Sequence, residues 1–379
     1  MKLLQVAPTI HEYADFTAFA ADFHLGAHDL ILTNARYAKY FTGLSCPVIC
    51  REKYGTAEPT DEMVNAILAE RDRIHATTGV ERIIAIGGGA IMDMAKVLAV
   101  APHGTQDCNA LYGDMANLRR VHELIALPTT CGTGSEVTNI SVIFRTPLGT
   151  KQGLVGDALY PSHAVLVPQL METLPWHVFA CSAIDALIHA AESYLSPLAT
   201  PMTDVFGELA MREILTGFAA IAEDPACRAS LNGQFLRAAT NAGIAFGNAG
   251  CGPVHALSFA IGGKYHVPHG ESCYQYFLPV LRYYKANSVE VGQSPAEYGK
   301  LTRFEALLCE ILHADDGLTA LADLLERILP RKPMSAYGAT QADAEAFAVS
   351  TIENQQRLLA RAYVPVTLDA ARAIEMDCL

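Results

Sequence analysis

Two short stretches of the sequence carry side chains of the kinds that bind divalent metals. Asp185 and His189 stand four residues apart in the segment IDALIHAAESYL, so on a helix they project from one face. Taken alone, such a pair fits two metal ligands or a plain ion pair equally well. The other stretch, GPVHALSFAIGGKYHVPHG over residues 252–270, holds three of the chain's 13 histidines. A shared metal is the interpretation that explains both stretches.

The ligand set predicted from these stretches is one carboxylate and three imidazoles. Its members are Asp185, His189, His255 and His269, with His266 nearby. Nitrogen and oxygen ligands of this kind suit Fe²⁺ or Zn²⁺, and the ligand types alone do not separate the two metals.

Two glycine- and hydroxyl-rich loops indicate a phosphate-bearing ligand. In RIIAIGGGAIMDMAKVLAV, Gly87, Gly88 and Gly89 join a strand to a helix, where free backbone N–H groups attract anions. The spacing matches neither GxGxxG nor a P-loop, and a tight turn without ligand fits it too. The segment LPTTCGTGSEVTN (127–139) crowds threonines and a serine around two glycines. Two such loops together favour a nucleotide.

The elements that must position these residues differ between the two halves of the chain. Short apolar runs at 29–34, 47–52, 82–88, 123–130 and 164–168 predict strands of a parallel sheet covered on both faces. Between them lie helical stretches such as 60–77. The pattern predicts a Rossmann-like α/β domain over residues 1–178 and an all-helical domain over 179–379, with a ligand site between them.

Composition excludes several classes of protein. Of 379 residues, 51 % are hydrophobic and 18 % charged, and the net charge is −13, which argues against nucleic acid as a partner. No run reaches the ~18 apolar residues that span a bilayer, and the N-terminus lacks the apolar run of a signal peptide. A cytoplasmic protein with no membrane partner is therefore expected. The ten cysteines form no CxxC pair and are expected to be reduced thiols without a chemical role.

Four ordered motifs resemble those of the iron-containing (group III) alcohol dehydrogenases. They are GGGAIMDMAK, LPTTCGTGSEVT, DALIHAAESY and GPVHALSFAIGGKYHVPHG, and the resemblance extends over essentially the whole chain. It implies an N-terminal dinucleotide-binding domain, a helical metal-binding domain, a homodimer, and hydride transfer between a small alcohol and NAD(P). The implied metal ligands are Asp185, His189, His255 and His269.

The resemblance also implies a set of cofactor contacts. Residues on the nucleotide-binding surface would be Asn34, Gly87, Gly88, Gly89, Asp93, Thr129, Thr130, Ser135 and Lys151. Three positions depart from the family pattern. Ala90 replaces a serine that contacts phosphate, Asn34 replaces an aspartate that binds the adenosine ribose, and Phe259 replaces an active-site histidine. The cofactor is therefore expected to be NAD(H), with NADP not excluded, and no proton relay can run through the side chain at 259.

Further segments resemble the branch of the family that interconverts 4-hydroxybutyrate and succinate semialdehyde. They are MKLLQVAP, ILTN, EKYG, NAGIAFGNAG and QQRLL. A carboxylate-bearing substrate needs a cationic or N–H partner, for which Lys264, His266 and Arg357 are candidates, each with an alternative role at the surface or behind the metal ligands. His266 could also carry protons.

Three other functions remain open on the sequence. The chain could be another member of the family, acting on 1,3-propanediol, lactaldehyde or glycerol. It could be a lyase similar to 3-dehydroquinate synthase, although the basic phosphate-binding cluster of such enzymes is not evident. It could also be a metal- or nucleotide-binding protein without catalysis.

Overall fold

The structure is a computed structural model that describes residues 2–56, 58–288 and 299–379. The chain divides into two compact units. One spans Val6–Leu174, and the other spans Pro175–Leu379 together with the N-terminal residues up to Gln5. The division lies four residues before the predicted boundary at 178, which falls within the first helix of the second unit.

The first unit is built on a parallel sheet. Its strands are β1 (Thr9–Glu12), β2 (Asp29–Thr33), β3 (Val48–Cys50), β4 (Arg82–Gly87), β5 (Glu123–Pro128) and β8 (His163–Leu166), with the antiparallel hairpin β6 (Ile140–Arg145) and β7 (Thr150–Val155) beside it. The sheet order is β1-β8-β5-β4-β2-β3, and all neighbours are parallel. Its helices are α1 (Phe16–Asp22), α2 (Asp61–Thr78) and α3 (Gly89–Val100).

Alternate residues of the central strands pack into two separate cores. Leu30, Ile83 and Leu124 belong to one apolar cluster, whereas their neighbours Ile31 and Ile84 belong to the other. Burial on both faces is the reason that these strands have continuous apolar sequences. The predicted fold class is confirmed, and all five predicted strands are present.

Helix α2 shows how local sequence sets the ends of an element. The Thr60 side chain accepts a hydrogen bond from the backbone N–H of Met63 at 3.2 Å, which caps the first turn. At the other end, Gly79 has a φ of +66°, the left-handed conformation that commonly ends a helix. The prediction of a helix over 60–77 is confirmed within one residue at each end.

All the regular secondary structure in the described part of the second unit is helical. Its helices are α4 (Trp176–Leu195), α5 (Pro201–Glu223), α6 (Asn232–Ala249), α7 (Pro253–Tyr265), α8 (His269–Asn287), α9 (Lys300–Leu312), α10 (Gly317–Ile328), α11 (Gln341–Asn354), α12 (Gln356–Leu359) and α13 (Leu368–Asp377). At its centre, α4 packs against α5, α6 and α8.

The central helix α4 is long and apolar enough to cross a membrane by length and composition. In this structure 89 % of its apolar stretch is buried among other helices, as in the core helix of a soluble protein. A second candidate, formed by Pro225–Ala249 with Pro253–Tyr265, is bent by 105°.

Candidate metal centre

Three helices of the second unit bring the four predicted metal ligands together. Asp185 and His189 lie on α4, His255 lies on α7, and His269 is the first residue of α8. One ligand atom from each residue lies within 4.8 Å of those from the other three. The predicted set therefore converges on one point, although its members span 85 positions of sequence.

The distances around Asp185 suit a shared ion better than direct hydrogen bonds. Its carboxylate oxygens lie 3.9 Å from Nδ1 of His189, 3.8 Å from Nε2 of His255 and 3.7 Å from Nε2 of His269. Each distance exceeds the range of a hydrogen bond. Two ligands at ~2.1 Å from one tetrahedral metal stand roughly 3.4 Å apart, so small side-chain movements would place all four around an ion.

Two atoms at this centre are buried without a hydrogen-bond partner among the described residues. They are Oδ1 of Asp185 and Nε2 of His255, and both residues are at most 5 % exposed. Leaving such groups unsatisfied costs about 1–3 kcal/mol each. A bound cation would satisfy both atoms, so the donor set fits a metal.

Without an ion, the pKa values of the four residues shift in different directions. Burial alone would raise the pKa of Asp185, but the three neighbouring imidazoles outweigh burial and lower it. Burial lowers the pKa of His189 to about 4. Burial would lower the pKa of His255, but neighbouring thiols raise it well above its usual value, and the charge of Cys273 raises the pKa of His269 to about 9. At neutral pH the centre therefore presents a carboxylate and at least one neutral imidazole.

Glu192 is a part of the centre that the sequence analysis missed. It lies seven residues after Asp185 on α4, and its carboxylate accepts a hydrogen bond from Nδ1 of His255 at 2.6 Å. It also accepts hydrogen bonds from the backbone N–H groups of Gly252 at 3.0 Å and Val254 at 2.7 Å. The start of α7 is thereby attached to α4, and Nε2 of His255 is turned toward the other ligands.

Close helix packing at His269 depends on the next residue, Gly270. A Cβ at Gly270 would overlap the backbone carbonyl of Cys181 on α4. The small residue therefore lets the first turn of α8 approach α4 closely enough for His269 to join the cluster.

Aromatic rings border two of the histidines. Phe246 stacks on His189 with ring centroids 4.3 Å apart. Phe259, one turn after His255 on α7, lies 6.4 Å from the His269 ring and is 40 % exposed. At the position where the sequence resemblance implies a histidine, this chain has an apolar ring beside the predicted metal ligands.

Two of the predicted substrate or proton-transfer residues have other partners. The Lys264 ammonium pairs with Asp343 on α11, and the Tyr265 hydroxyl donates to the same carboxylate at 2.9 Å. His266 is exposed, and its φ of +54° ends α7 in a left-handed turn. These contacts give Lys264 and His266 structural roles at the end of α7.

The third predicted substrate residue, Arg357, is exposed on α12. Burial, and to a smaller extent the charge of Arg357, lower the pKa of Arg361. Arg361 donates to the carbonyl of Ala249 at 3.1 Å and lies over Gly250, immediately before the helix that carries His255. Sequence analysis did not select Arg361.

In the α/β unit, the two predicted phosphate loops pack against each other. The N–H of Thr129 donates to the carbonyl of Gly87 at 3.1 Å. A Cβ at Gly88 would lie 3.2 Å from the Thr130 side chain, and one at Gly89 would lie 2.8 Å from that of Thr133. No described side chain caps the first turn of α3, which leaves its N–H groups open to an anion.

Behind these loops, Asp93 and Ser135 belong to a buried hydrogen-bond network. The Ser135 hydroxyl donates to Asp93 at 2.9 Å and accepts from Nζ of Lys96 at 2.7 Å. Lys96 is fully buried and also donates to Thr138 at 3.1 Å and to the carbonyl of Ile140 at 2.8 Å. The network holds the loop against α3, which is a positioning role that the sequence analysis did not assign to Lys96.

The remaining predicted cofactor residues lie at two other places in the same unit. Asn34 follows β2, and its amide donates to Glu52 at 3.1 Å; the backbone N–H of Ala35 donates to Glu52 at 3.0 Å. Glu52 thereby places a carboxylate beside Asn34, the position where the sequence resemblance implies an aspartate. Lys151 lies on β7, where its ammonium pairs with Glu58.

Comparison with protein families identifies two matching regions. Residues 26–168 match the iron-containing alcohol dehydrogenase domain, and residues 179–375 match the C-terminal domain of the Fe-containing alcohol dehydrogenase family. Among characterised relatives, the 4-hydroxybutyrate dehydrogenase of Clostridium kluyveri is 42 % identical over 96 % of both chains. The probable alcohol dehydrogenase EutG of Escherichia coli is 33 % identical over 73 % of this chain and 68 % of that one.

Solved structures share the fold at lower identity. Sulfoacetaldehyde reductase from Bifidobacterium kashiwanohense, solved in complex with NAD⁺, superposes with a TM-score of 0.82 at 22 % identity and covers 99 % of this chain and 98 % of that one. A 1,3-propanediol oxidoreductase superposes with a TM-score of 0.80 at 22 % identity over the full length of both chains.

Proposed function

Because the chain belongs to the iron-containing alcohol dehydrogenase family, we propose that it interconverts 4-hydroxybutyrate and succinate semialdehyde with NAD(H). The observation that carries this proposal is the 42 % identity, over 96 % of both chains, to a 4-hydroxybutyrate dehydrogenase. It is supported by the convergence of one carboxylate and three imidazoles in the helical unit.

We propose that Asp185, His189, His255 and His269 hold one divalent metal, Fe²⁺ or Zn²⁺. The unpartnered atoms of Asp185 and His255 support this assignment. When bound, the metal supplies Lewis-acid polarisation of the substrate oxygen, and NAD⁺ supplies the hydride acceptor. Glu192 orients the His255 ring and keeps its Nε2 available. The protein thus contributes the ligand geometry and the orientation of the His255 ring.

The α/β unit would bind the dinucleotide through the packed loops. The open N-terminus of α3, with Gly87, Gly88 and Gly89, offers N–H groups to the pyrophosphate. Asp93, Thr129, Thr130 and Ser135 would shape the same surface, and Lys151 would approach from the hairpin.

The carboxylate of Glu52 supports NAD(H) rather than NADP(H) as the cofactor. Its contacts with Asn34 and Ala35 place it after the end of β2. At that position in dinucleotide-binding sheets, an acidic group accepts a hydrogen bond from the ribose 2′-hydroxyl. The carboxylate would also repel a 2′-phosphate. Glu52 would therefore supply the negative charge that is absent at position 34, where the chain has an asparagine.

Arg361, with Arg357 beside it, is our proposed anchor for the substrate carboxylate. The two adjacent guanidinium groups form a cationic site at the end of α6, close to the start of α7. A guanidinium group can donate two parallel hydrogen bonds to one carboxylate, which makes arginine a strong partner for it. Lys264 is less suited to this role because its ammonium already pairs with Asp343.

Proton transfer at this site would not use the side chain at position 259, which is a phenylalanine. His266 is a weaker candidate than the sequence suggested because it is exposed at the end of α7. Water and the ribose hydroxyls of the cofactor are the remaining carriers.

We propose a cytoplasmic homodimer as the working form. Strand β1 supports the dimer because it is an edge strand with mostly exposed side chains, and an exposed edge can pair with a second copy.

The test of the proposed function is steady-state oxidation of 4-hydroxybutyrate by metal-stripped protein restored with Fe²⁺ or Zn²⁺, with NAD⁺ or NADP⁺ as acceptor. We expect metal-dependent NADH formation, a preference for NAD⁺, and loss of activity in Asp185→Ala. A preference for 1,3-propanediol, glycerol or lactaldehyde would overturn the substrate assignment but not the family. Absence of net NADH formation with every substrate would favour a lyase or a non-catalytic protein.

A further inference from the structure

A second cluster of three histidines lies in the α/β unit, apart from the residues discussed so far. His75 is in the last turn of α2, His103 follows α3, and His122 immediately precedes β5. One ring nitrogen of each lies within 4.8 Å of the other two. The ring centroids of His75 and His103 are 4.0 Å apart, and those of His103 and His122 are 5.0 Å apart.

Hydrogen bonds occupy one nitrogen on two of these rings. Nδ1 of His103 lies 2.8 Å from the Asp72 carboxylate, and Nδ1 of His75 lies 3.1 Å from the carbonyl of Val80. Both acceptors fix the tautomer that carries hydrogen on Nδ1. In its neutral form, each ring then has an unprotonated Nε2, which is the form that binds metals.

The third ring supplies an independent sign that a ligand is missing. His122 is 2 % exposed, and its Nε2 has no hydrogen-bond partner among the described residues. The backbone beside it is fixed, since the N–H of His122 donates to the carbonyl of Ala99 at 3.1 Å. A buried, unpartnered nitrogen next to two correctly oriented imidazoles is costly unless something binds it.

Charge and access also suit a cation at this place. Burial and, to a smaller extent, the charge of Arg71 lower the pKa of His122, and Arg71 is itself ion-paired with Asp72 at 2.7 Å. A cavity of about 490 Å³ is lined by Asp72, His75 and His103 together with Asn65, Gly104 and Thr105. The cavity provides a route for an ion and space for a water molecule as its fourth ligand.

We propose that His75, His103 and His122 bind a second divalent transition-metal ion, with Zn²⁺ as the expected occupant. Three imidazoles select zinc, copper or nickel over the oxygen-preferring magnesium and manganese. The ion would tie the last turn of α2 to the segment after α3 and to the residue before β5. Its expected effect is therefore stabilisation of the α/β unit. The proposal does not depend on the function assigned to the Asp185 centre.

The test is the zinc stoichiometry and affinity of the full-length chain by equilibrium dialysis at micromolar free Zn²⁺. We expect two ions per chain in the wild type and one in Asp185→Ala. His103→Ala should lose the other ion, with an affinity loss beyond the ~10–100-fold caused by removing an outer partner. His103 is 37 % exposed, so this variant leaves the buried core intact.

The matched control is His28→Gln, which changes an exposed histidine of the same unit that contacts the carbonyl of Gly79. It should keep two ions. In the Asp185→Ala background, Zn²⁺ should raise the thermal midpoint of unfolding, and the additional change His103→Ala should abolish that rise. Absence of bound zinc in Asp185→Ala, or zinc binding to that variant that neither His103→Ala nor His75→Ala weakens, would overturn the proposal.

Discussion

Glu192 accepts a 2.6 Å hydrogen bond from Nδ1 of His255, and the Nε2 of that ring has no partner among the described residues. A carboxylate behind a histidine raises the basicity of the ring and fixes its orientation toward a metal. This pair connects the central helix of the second unit to the start of α7. It would thereby preorganise the proposed ligand set.

Glu192→Gln should weaken metal binding while leaving all four ligands in place. An amide lacks the negative charge that holds the Nδ1 proton, so we expect a loss of about 10–100-fold in metal affinity. Competition of the metal-loaded protein with a chelator measures the change. Glu375→Gln is the matched control because it alters another buried glutamate. Glu375 lies on α13 and accepts a hydrogen bond from Tyr276 of α8, outside the ligand cluster. Equal metal retention by the two variants would contradict the role of Glu192.

Phe259→His should introduce a proton-transfer group at a position where this chain has none. The side chain at 259 is 40 % exposed and lies beside His269, so the new imidazole should titrate near ~6.5. A base becomes active above its pKa, and alcohol oxidation should therefore rise with pH through that value. The measurement is kcat/KM against pH, with Phe259→Leu as the control. Identical profiles for the two variants would show that position 259 takes no part in proton transfer.

Glu52→Gln should relax the choice between NAD⁺ and NADP⁺. Removing the carboxylate after β2 removes the repulsion of a 2′-phosphate, and the glutamine amide keeps one of the two acceptor oxygens that Asn34 and the N–H of Ala35 use. We expect the ratio of kcat/KM for the two cofactors to shift toward NADP⁺ on the order of tenfold, or ~1.4 kcal/mol. Glu81→Gln is the control, since it removes an exposed charge at the opposite end of the strands. A similar shift in both variants would indicate a general effect of net charge.

Sequence patterns predicted which ligand-type side chains lie together better than they predicted the residues that hold those side chains in place. Asp185 and His189 are recognisable because helical spacing places them on one face. The role of Glu192 depends on a partner 63 residues away, and only the packing of α4 against α7 shows it. Lys96 was missed for a similar reason, since a lysine in a helix suggests exposure and here is fully buried.

Elements with weak local patterns were also missed. The sequence TIHE of β1 has one apolar residue because the strand lies at the sheet edge and is mostly exposed. Burial on two faces made the central strands predictable from their apolar runs. The glycine triplet was predicted to let a phosphate approach the backbone. Gly88 and Gly89 also leave room for the side chains of Thr130 and Thr133, which a Cβ at either position would crowd.

Glu375 should make the stability of the helical unit depend on pH. The residue is fully buried, its Oε1 has no partner among the described residues, and burial raises its pKa to about 8. The folded state therefore binds a proton that the unfolded state releases above its ordinary pKa. The contribution of this proton to the free energy of unfolding is complete below the ordinary pKa of a glutamate. It is lost by about 1.36 kcal/mol per pH unit as the pH rises to about 8. Glu375→Gln should flatten this dependence in urea unfolding between pH 5 and 8, whereas exposed Glu353→Gln should not.

Arg361→Ala should separate binding of the substrate carboxylate from the reaction itself. If Arg361 and Arg357 anchor that group, the variant should lose activity toward succinate semialdehyde while retaining activity toward a neutral aldehyde of similar length. A charged hydrogen bond of this kind contributes roughly 1.5–3 kcal/mol, which corresponds to about 10–150-fold in kcat/KM. Arg357→Ala should show a smaller loss with the same selectivity, because Arg361 remains against Ala249.

The control for the arginine pair is Arg372→Ala, which removes an exposed guanidinium paired with Glu345 elsewhere in the helical unit. It should leave both aldehydes unaffected. Loss of activity toward both aldehydes in Arg361→Ala would mean that the arginine supports the packing around Gly250, since its guanidinium lies over that glycine. An unchanged preference for succinate semialdehyde in both Arg357→Ala and Arg361→Ala would place the carboxylate site elsewhere.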